Sequence, residues 1–183
     1  MPENSSSWLS LMTFVPLLGA IMILLVPGRE KKVIKAIAGC ATLFPLIISL
    51  WLLHLFQNQV PGVGSGIGNF AQLFQFVERY NWIKAFNIQY YMGVDGISFP
   101  MVLLTTLLCF LCVIGSLHIK KSVKGYFALF LLLETGIIGT FCSLDLFLFY
   151  VFWEVMLLPM YFLIGIWGGP RREYAAIKFF LYT

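Results

Sequence analysis

Two glutamates stand inside long apolar stretches of this sequence, where an ionisable side chain is costly. Glu154 is the single charged residue of segment 146–167, and Glu134 is the single charged residue of segment 126–141. A charge near the centre of a bilayer costs roughly 2.5 to 3.5 kcal/mol on insertion scales, so residues retained there usually serve a function. The chemistry open to a carboxylic acid at such a depth is the uptake and release of a proton.

Glu154 is the first candidate for proton transfer because of its depth. It stands about nine residues into a span of about 22, which at 1.5 Å per residue places it near mid-membrane. Pro159 has no backbone N–H to offer the carbonyl of Val155, beside Glu154, and that carbonyl can bind water. The alternative is structural: Glu154 pairs with a basic residue and Pro159 only bends the helix.

Three other charged residues lie in or beside apolar segments. Glu134 precedes the small residues 135–136, which permit close helix approach, and it either extends a polar proton path or makes a structural hydrogen bond to a neighbouring helix. Lys178 either takes part in proton transfer or extends its ammonium group to the membrane surface from the nearby basic loop. Asp145, which directly precedes an apolar segment, is interpreted as a helix cap.

The composition requires a membrane protein, and the segments predict an all-α polytopic fold. Hydrophobic residues make up 60% of the 183 and charged residues 11%, with a mean hydropathy of +0.90, far from a soluble domain. A span needs roughly 20 apolar residues. Five complete spans are predicted at about 8–26, 36–56 with a kink at Pro45, 97–117, 126–141 and 146–167, and a sixth begins near Ala175 and is cut off at Thr183. Residues 57–96 are predicted to form an external hairpin loop, with 86–91 in the hairpin.

Basic residues alternate between the connections and predict an orientation. Cytoplasmic loops carry the excess of Lys and Arg. The basic residues follow the first span (Arg29, Lys31, Lys32, Lys35), the third (Lys120, Lys121, Lys124) and the fifth (Arg171, Arg172). These loops are therefore predicted to be cytoplasmic and the N-terminus external. The first apolar segment lacks a basic n-region and a cleavage site, so it is predicted to be retained.

Several other functions are disfavoured. The cysteines lie in or beside apolar segments and are interpreted as small core residues, without a disulfide framework or metal motif (Cys40, Cys109, Cys112, Cys142). The basic residues form short turns and no continuous nucleic-acid-binding face. The glycine-rich stretch 62–68 follows no strand, precedes no helix and lacks the lysine of a phosphate-binding loop, so it is interpreted as a flexible loop.

Four motifs carry a family resemblance over nearly the whole chain. They are LFLFYVFWEVMLLPMYFLIG at 146–165, KFFLYT at 178–183, ERYNWI at 78–83 and GVDGISF at 93–99. Together they resemble the M subunit of bacterial NADH:quinone oxidoreductase, respiratory complex I, which is related to subunit 4 of the mitochondrial complex.

The resemblance implies a fold and a function. The chain would be the N-terminal part of a single antiporter-like domain of fourteen helices, in the membrane arm of a proton-translocating enzyme of the inner membrane. Glu154 would match a fifth-helix glutamate that pairs with a seventh-helix lysine, which this chain lacks. The resemblance places no cofactor on this chain and puts NADH, FMN, iron–sulfur clusters and quinone on partner subunits. Expected partners are the other membrane-arm subunits and the lipid bilayer, and the chain alone is expected not to pump.

Two alternatives remain open. The first is a subunit of a related multisubunit cation/proton antiporter or membrane-bound hydrogenase, which shares the Trp153-Glu154 pair; the segment 78–83 favours complex I. The second is a non-transporting structural or assembly protein, in which the carboxylates only hold helices together.

Overall fold

The structure, a computed structural model, describes residues 7–59 and 74–183. Six helices follow one another in these residues: α1 (Trp8–Leu25), α2 (Lys31–Gln59), α3 (Ser98–Gly115), α4 (Val123–Cys142), α5 (Leu146–Trp167) and α6 (Arg172–Tyr182). The first five are long and apolar enough to cross a membrane. The predicted all-α polytopic architecture is thereby confirmed.

Helix boundaries differ from the predicted spans mainly where basic residues begin a helix. α2 begins at Lys31, five residues before the predicted span, α4 at Val123 and α6 at Arg172, each three residues early. Hydropathy marks only the apolar part of a helix, whereas Lys and Arg are good helix formers whose charged ends reach water. α5 has the predicted limits.

The connection between α2 and α3 contains the predicted hairpin. Strand β1 (Gln75–Ile83) pairs antiparallel with β2 (Ile88–Val94). The strands are joined by a 3₁₀ turn at Lys84–Phe86 and by Asn87, whose φ of 53° is left-handed and suits asparagine. The glycine-rich stretch 62–68 lies outside the described residues.

Helix α4 is central, because α1, α2, α3 and α5 all pack against it. Buried apolar side chains form two clusters. A hairpin-side cluster includes Leu9, Met12, Ile48, Leu52, Phe99, Ile138 and Phe152. A loop-side cluster includes Ala20, Ile23, Ile34, Ala41, Val113, Phe127 and Leu131. Small residues allow the closest approaches: a Cβ on Gly136 would lie 2.9 Å from the backbone nitrogen of Met156, and one on Gly139 would overlap the ring of Phe152.

The three basic loops meet at one end of the helices. The Lys35 ammonium group donates to the carbonyl of Leu117. Lys121 donates to the carbonyl of Ile166 over 3.2 Å, and the Trp167 indole donates to the Lys121 carbonyl over 2.9 Å. The hairpin lies at the other end. This agrees with the predicted grouping of the loops, while the side of the membrane on which they lie stays a prediction.

The cysteines are free, but the prediction that all four belong to the core is wrong. Cys109 and Cys142 are buried, whereas Cys40 and Cys112 are exposed on the surfaces of α2 and α3. Those helix faces contact no other described helix, and an apolar segment does not reveal which of its faces is covered.

Candidate functional site

Glu154 is the ninth of the 22 residues of α5, so its predicted depth near the middle of the span agrees with the structure. Its side chain is exposed on the outer surface of the described helices. The hydroxyl of Tyr150, one turn earlier, hydrogen-bonds to the Glu154 carboxylate. Within residues 7–59 and 74–183 no basic side chain forms an ion pair with it, so the alternative of a structural ion pair has no partner in this part of the chain.

The outward position of Glu154 follows from the way α5 packs on α4. Phe152 and Met156 meet the glycines of α4 and therefore mark the buried side of α5. Glu154 lies two residues from each, about 200° around the helix at 100° per residue. Pro159 is buried in α5 and leaves the carbonyl of Val155 without its usual helical donor.

Glu134 has the opposite environment. It is completely buried in α4, and within the described residues neither carboxylate oxygen has a hydrogen-bond partner. The predicted burial is confirmed, and the alternative of a structural hydrogen bond to a neighbouring helix is not found there. Cys109, on α3, lies within electrostatic range of its carboxylate. A buried polar group without partners is costly, so Glu134 needs an explanation.

The two glutamates are close in depth but do not share a site. Gly139 meets Phe152 and Gly136 meets Met156, so Glu154 lies level with the segment between those glycines. Glu134 is roughly one turn, ~5 Å, away along the axis. One carboxylate nevertheless faces the interior and the other faces outward.

Lys178 is not brought to Glu154 either. It is exposed on α6, and its ammonium group lies 5.6 Å from the ring centres of both Tyr174 and Tyr182. Tyr161 contacts Phe180, and a Cβ on Gly165 would lie 3.6 Å from Ala176, so α5 and α6 run antiparallel. This pairing places Lys178 about nine residues, ~13 Å, from Glu154 along α5.

Asp145 positions the start of α5, and the predicted cap is confirmed. Its carboxylate accepts hydrogen bonds from the backbone N–H groups of Phe147 at 2.9 Å and Leu148 at 3.2 Å. It also accepts a 3.4 Å bond from the N–H of Gln89 in β2. The hairpin is thereby attached to the helix that carries Glu154.

Sequence reasoning missed the role of Glu78. It is the buried residue of β1 and accepts hydrogen bonds from the N–H groups of Leu9 at 2.8 Å and Ser10 at 3.3 Å, in the first turn of α1. Ser10 also lies 2.6 Å from the Tyr90 hydroxyl. Burial raises the pKa of Tyr90 to about 12, with a smaller contribution from the Glu78 charge. The sequence offered no signal for this role, because the burial of Glu78 and its partners in α1 appear only in the structure.

An apolar groove of about 550 Å³ lies beside these residues, between α1, α4, α5 and the hairpin. Its lining includes Phe14, Trp82, Tyr90, Thr135, Phe152 and Val155. Among the described residues no three His, Cys, Asp or Glu side chains are grouped as a metal site would require.

Two family profiles match adjoining parts of the chain. Residues 34–142 match "NADH-ubiquinone oxidoreductase chain 4, amino terminus". Residues 143–183 match the membrane region described as "NADH:quinone oxidoreductase/Mrp antiporter". The two matches together cover the helices that carry both glutamates.

Solved structures with a similar fold include respiratory complex I from Thermus thermophilus with bound NADH, at a TM-score of 0.72 and 23% identity, covering 95% of this chain and 32% of that one. The membrane-bound sulfane sulfur reductase, an archaeal respiratory membrane complex, matches at a TM-score of 0.73 and 20% identity, over 96% of this chain and 34% of that one. At these identities the likeness shows the fold alone.

Curated relatives show the family. NADH-quinone oxidoreductase subunit M of Rickettsia felis is 41% identical over 181 residues, which are 96% of this chain and 34% of the relative. The subunit M of Rhodobacter capsulatus is 43% identical over 180 residues, 96% of this chain and 32% of the relative. The chain thus spans about a third of the length of these relatives. It belongs to the family of NADH-quinone oxidoreductase subunit M and NADH-ubiquinone oxidoreductase chain 4.

Proposed function

We propose that this chain forms the N-terminal helices of a proton-translocating membrane-arm subunit of an NADH:quinone oxidoreductase, with Glu154 as its proton-handling residue. Family membership supports the complex, and one observation supports the residue. A carboxylate stands at mid-span on a face of α5 that no described helix covers. Such a group in a bilayer needs a partner or a water-filled path, and both are components of a proton route.

The surroundings of Glu154 suit reversible protonation. Tyr150 can donate a hydrogen bond to the ionised carboxylate, and the free carbonyl of Val155 can accept one from water or from the protonated acid. The family resemblance supplies a lysine, from a helix outside this sequence, as the partner. A cation approaching this face favours the ionised form, and its withdrawal favours proton uptake.

The other two candidates take lesser parts. Glu134 is proposed as a second proton-binding group, because it is buried at nearly the same depth. Lys178 is proposed as a minor contributor at the membrane edge, since it lies ~13 Å from Glu154 along the helix axis. Its two flanking tyrosines hold the ammonium group at the surface of α6.

The proposal extends to partners and location. The other membrane-arm subunits would cover the exposed apolar faces of this chain. NADH, FMN, iron–sulfur clusters and quinone would be bound by partner subunits, so this chain would supply proton transfer without a redox centre. The subunit would lie in the inner membrane with its basic loops cytoplasmic and its N-terminus external.

A multisubunit cation/proton antiporter is the second candidate, because the match to residues 143–183 is described for both protein classes. The match to residues 34–142 is described for chain 4 of the NADH dehydrogenase and favours the first candidate.

The test uses complex I assembled with a full-length subunit that carries this sequence. Glu154→Gln is nearly isosteric and removes the titratable group. We expect proton pumping and NADH-driven quinone reduction to fall together, while electron transfer from NADH to an acceptor upstream of the membrane arm persists. Full pumping in the variant, at an equal amount of assembled complex, would contradict the assignment.

A further inference from the structure

Glu134 occupies an interior position that the proposed role of Glu154 does not explain. It is 0% exposed, and neither of its oxygens has a partner within the described residues. Leu131, one turn away, belongs to the loop-side cluster, and Ile138, one turn in the other direction, belongs to the hairpin-side cluster. The carboxylate therefore lies between two apolar layers, each of which separates it from one end of the helices.

Two proline breaks lie at the same depth as Glu134. Gly19, Ala41 and Leu131 meet in one layer, since a Cβ on Gly19 would lie 2.5 Å from Ala41 and 3.2 Å from Leu131. Glu134 is three residues from this layer, ~4.5 Å towards the hairpin. Pro16 of α1 is three residues from Gly19, ~4.5 Å, and Pro45 of α2 is four residues from Ala41, ~6 Å, both also towards the hairpin.

Each proline leaves polar backbone in the interior. Pro16 and Pro45 are both buried and lack an N–H, so the carbonyls of Met12 and Ala41 lose their usual helical donors. In membrane helices such groups are satisfied by neighbouring side chains or by ordered water. Ala41 lies in the layer with Gly19, and Met12 is seven residues, ~10.5 Å, from Gly19 towards the hairpin, so the two carbonyls bracket Glu134 in depth. Glu134, the only acidic side chain buried in the described spans, therefore lies between them, where ordered water would join the carbonyls to the carboxyl group.

A hydroxyl pair continues this polar region towards the hairpin. Ser49 Oγ lies 2.9 Å from Thr106 Oγ1, and both residues are completely buried. Thr106 is one turn of α3 from Cys109, which is within electrostatic range of Glu134.

The pair can change its hydrogen-bonding direction. Ser49 also lies 2.8 Å from the carbonyl of Leu46, and Thr106 lies 3.0 Å from the carbonyl of Leu103. Two hydroxyl protons thus serve three contacts. Either hydroxyl can donate to the other while its partner donates to the backbone, and switching between the arrangements is what a proton relay requires.

We propose that Glu134 is the acid of an internal, hydrated proton-binding site, formed where Pro16 and Pro45 interrupt α1 and α2 and connected towards the hairpin by the Ser49–Thr106 hydroxyl pair. The site deepens the proposed function and rests on it. Its substrate is a proton delivered by water: an O–H bond forms on the Glu134 carboxylate as the hydronium O–H bond breaks, leaving water. Passage to either end requires one apolar cluster to admit water, so the two clusters act as opposite gates.

The test compares matched variants in complex I assembled with a full-length subunit of this sequence. Infrared difference spectra should contain a carboxylic-acid band that shifts in D₂O, disappears in Glu134→Gln and persists in Glu154→Gln. Because a positioned acid or base contributes about 10²- to 10⁴-fold to proton transfer, pumping should fall at least about tenfold in Glu134→Gln. Thr106→Val should displace the band. Thr105→Val is the control, because its hydroxyl bonds to Met101 of its own helix.

The outcomes separate this inference from the proposed function. Normal pumping in Glu134→Gln, or an unchanged acid band in it, overturns the internal site, while loss of pumping in Glu154→Gln would leave the proposed function intact. If Glu134→Gln lost proton pumping while Glu154→Gln kept it in full, the proposed role of Glu154 would be overturned instead. If Glu134→Gln fails to assemble, the two threonine variants provide the test. The same position of the carboxylic-acid band in Thr105→Val and Thr106→Val would overturn the relay.

Discussion

The carboxylate of Glu78, on the hairpin, accepts a 2.8 Å hydrogen bond from the backbone N–H of Leu9, 69 residues earlier in the first turn of α1. The first four N–H groups of a helix lack partners within it, and Ser7 provides no side-chain cap. Glu78 satisfies two of them, and its negative charge faces the positive end of the helix dipole. The hairpin is therefore a cap for α1.

Glu78→Ala should destabilise the subunit. It leaves the buried N–H of Leu9 and the partly buried N–H of Ser10 without acceptors, and a buried unsatisfied group costs about 1 to 3 kcal/mol. Thermal denaturation of the purified complex and the amount of assembled subunit would show the loss. Glu30→Ala is the control because Glu30 is an exposed acid with no side-chain bond in the described structure. Equal stability of the two variants would refute the capping role.

Tyr90→Phe should reduce alkaline destabilisation. Burial raises the pKa of Tyr90 from 10.0 to about 12, so the unfolded chain loses this proton at lower pH than the folded chain. The stability that this difference in pKa contributes is fully present below pH 10 and is lost as the pH rises from 10 towards 12. Melting temperatures measured between about pH 9 and 11 should fall more steeply for the parent than for Tyr90→Phe. Equal slopes for the parent and Tyr90→Phe would contradict this prediction.

The sequence predicted the spans, the hairpin and the Asp145 cap because each depends on local features: apolar length, alternation and a capping residue before an apolar run. It could not predict which face of α4 or α5 is buried. Both helices are apolar nearly all round, so no stripe distinguishes the interior, and only the packing of α4 against its neighbours separates Glu134 from Glu154. The prediction for Cys40 and Cys112 failed for the same reason.

Contacts distant in sequence escaped prediction altogether. The bond between Glu78 and α1 has no sequence signature, because the acceptor and its donors lie in separate elements. Asp95 shows the contrast, since its bonds are local: its carboxylate accepts from the N–H of Ser98 at 2.6 Å, and that bond holds the pKa of Asp95 below its ordinary value. An Asp-x-x-Ser spacing before an apolar segment is a readable helix start.

Gly139→Ala should disrupt the packing of α5 on α4. Its Cβ would overlap the ring of Phe152, and overpacking of this kind costs typically about 1 to 3 kcal/mol. Gly39→Ala is the matched control, since nothing lies within 4 Å of the added Cβ and alanine favours a helix. The yield and melting temperature of the complex should fall for the first variant alone. A tolerated Gly139→Ala would show that the two helices can separate.

The orientation can be tested with two single cysteines in a background lacking the native four. Lys84→Cys, in the hairpin turn, should react with an impermeant thiol reagent added outside intact cells. Lys32→Cys, in the basic first turn of α2, should react only after the membrane is opened, because positive charge marks the cytoplasmic side. A reporter fused after Lys124 should likewise be cytoplasmic, and one near Gly66, which lies outside the described residues, external. The reverse pattern at both ends would invert the topology.

Two substitutions of Glu154 separate the effect of its ionisable group from the effect of its side-chain length. Glu154→Gln keeps the shape and removes the proton site, whereas Glu154→Asp keeps the site but draws it about one methylene closer to α5. If Glu154 transfers protons, Glu154→Asp should retain part of the pumping that Glu154→Gln loses. If its role is purely structural, Glu154→Gln should retain more pumping than Glu154→Asp, because glutamine preserves the packing better. Tyr150→Phe removes the hydroxyl bonded to this carboxylate and should reduce pumping less than Glu154→Gln. Lys178→Met should also be milder, since that side chain is exposed on α6 and distant from Glu154. All four variants would be compared by their rates of proton pumping and quinone reduction, in membranes with equal amounts of assembled complex. If Glu154→Asp were as inactive as Glu154→Gln, and Lys178→Met were equally impaired, the assignment of proton transfer to Glu154 would be contradicted.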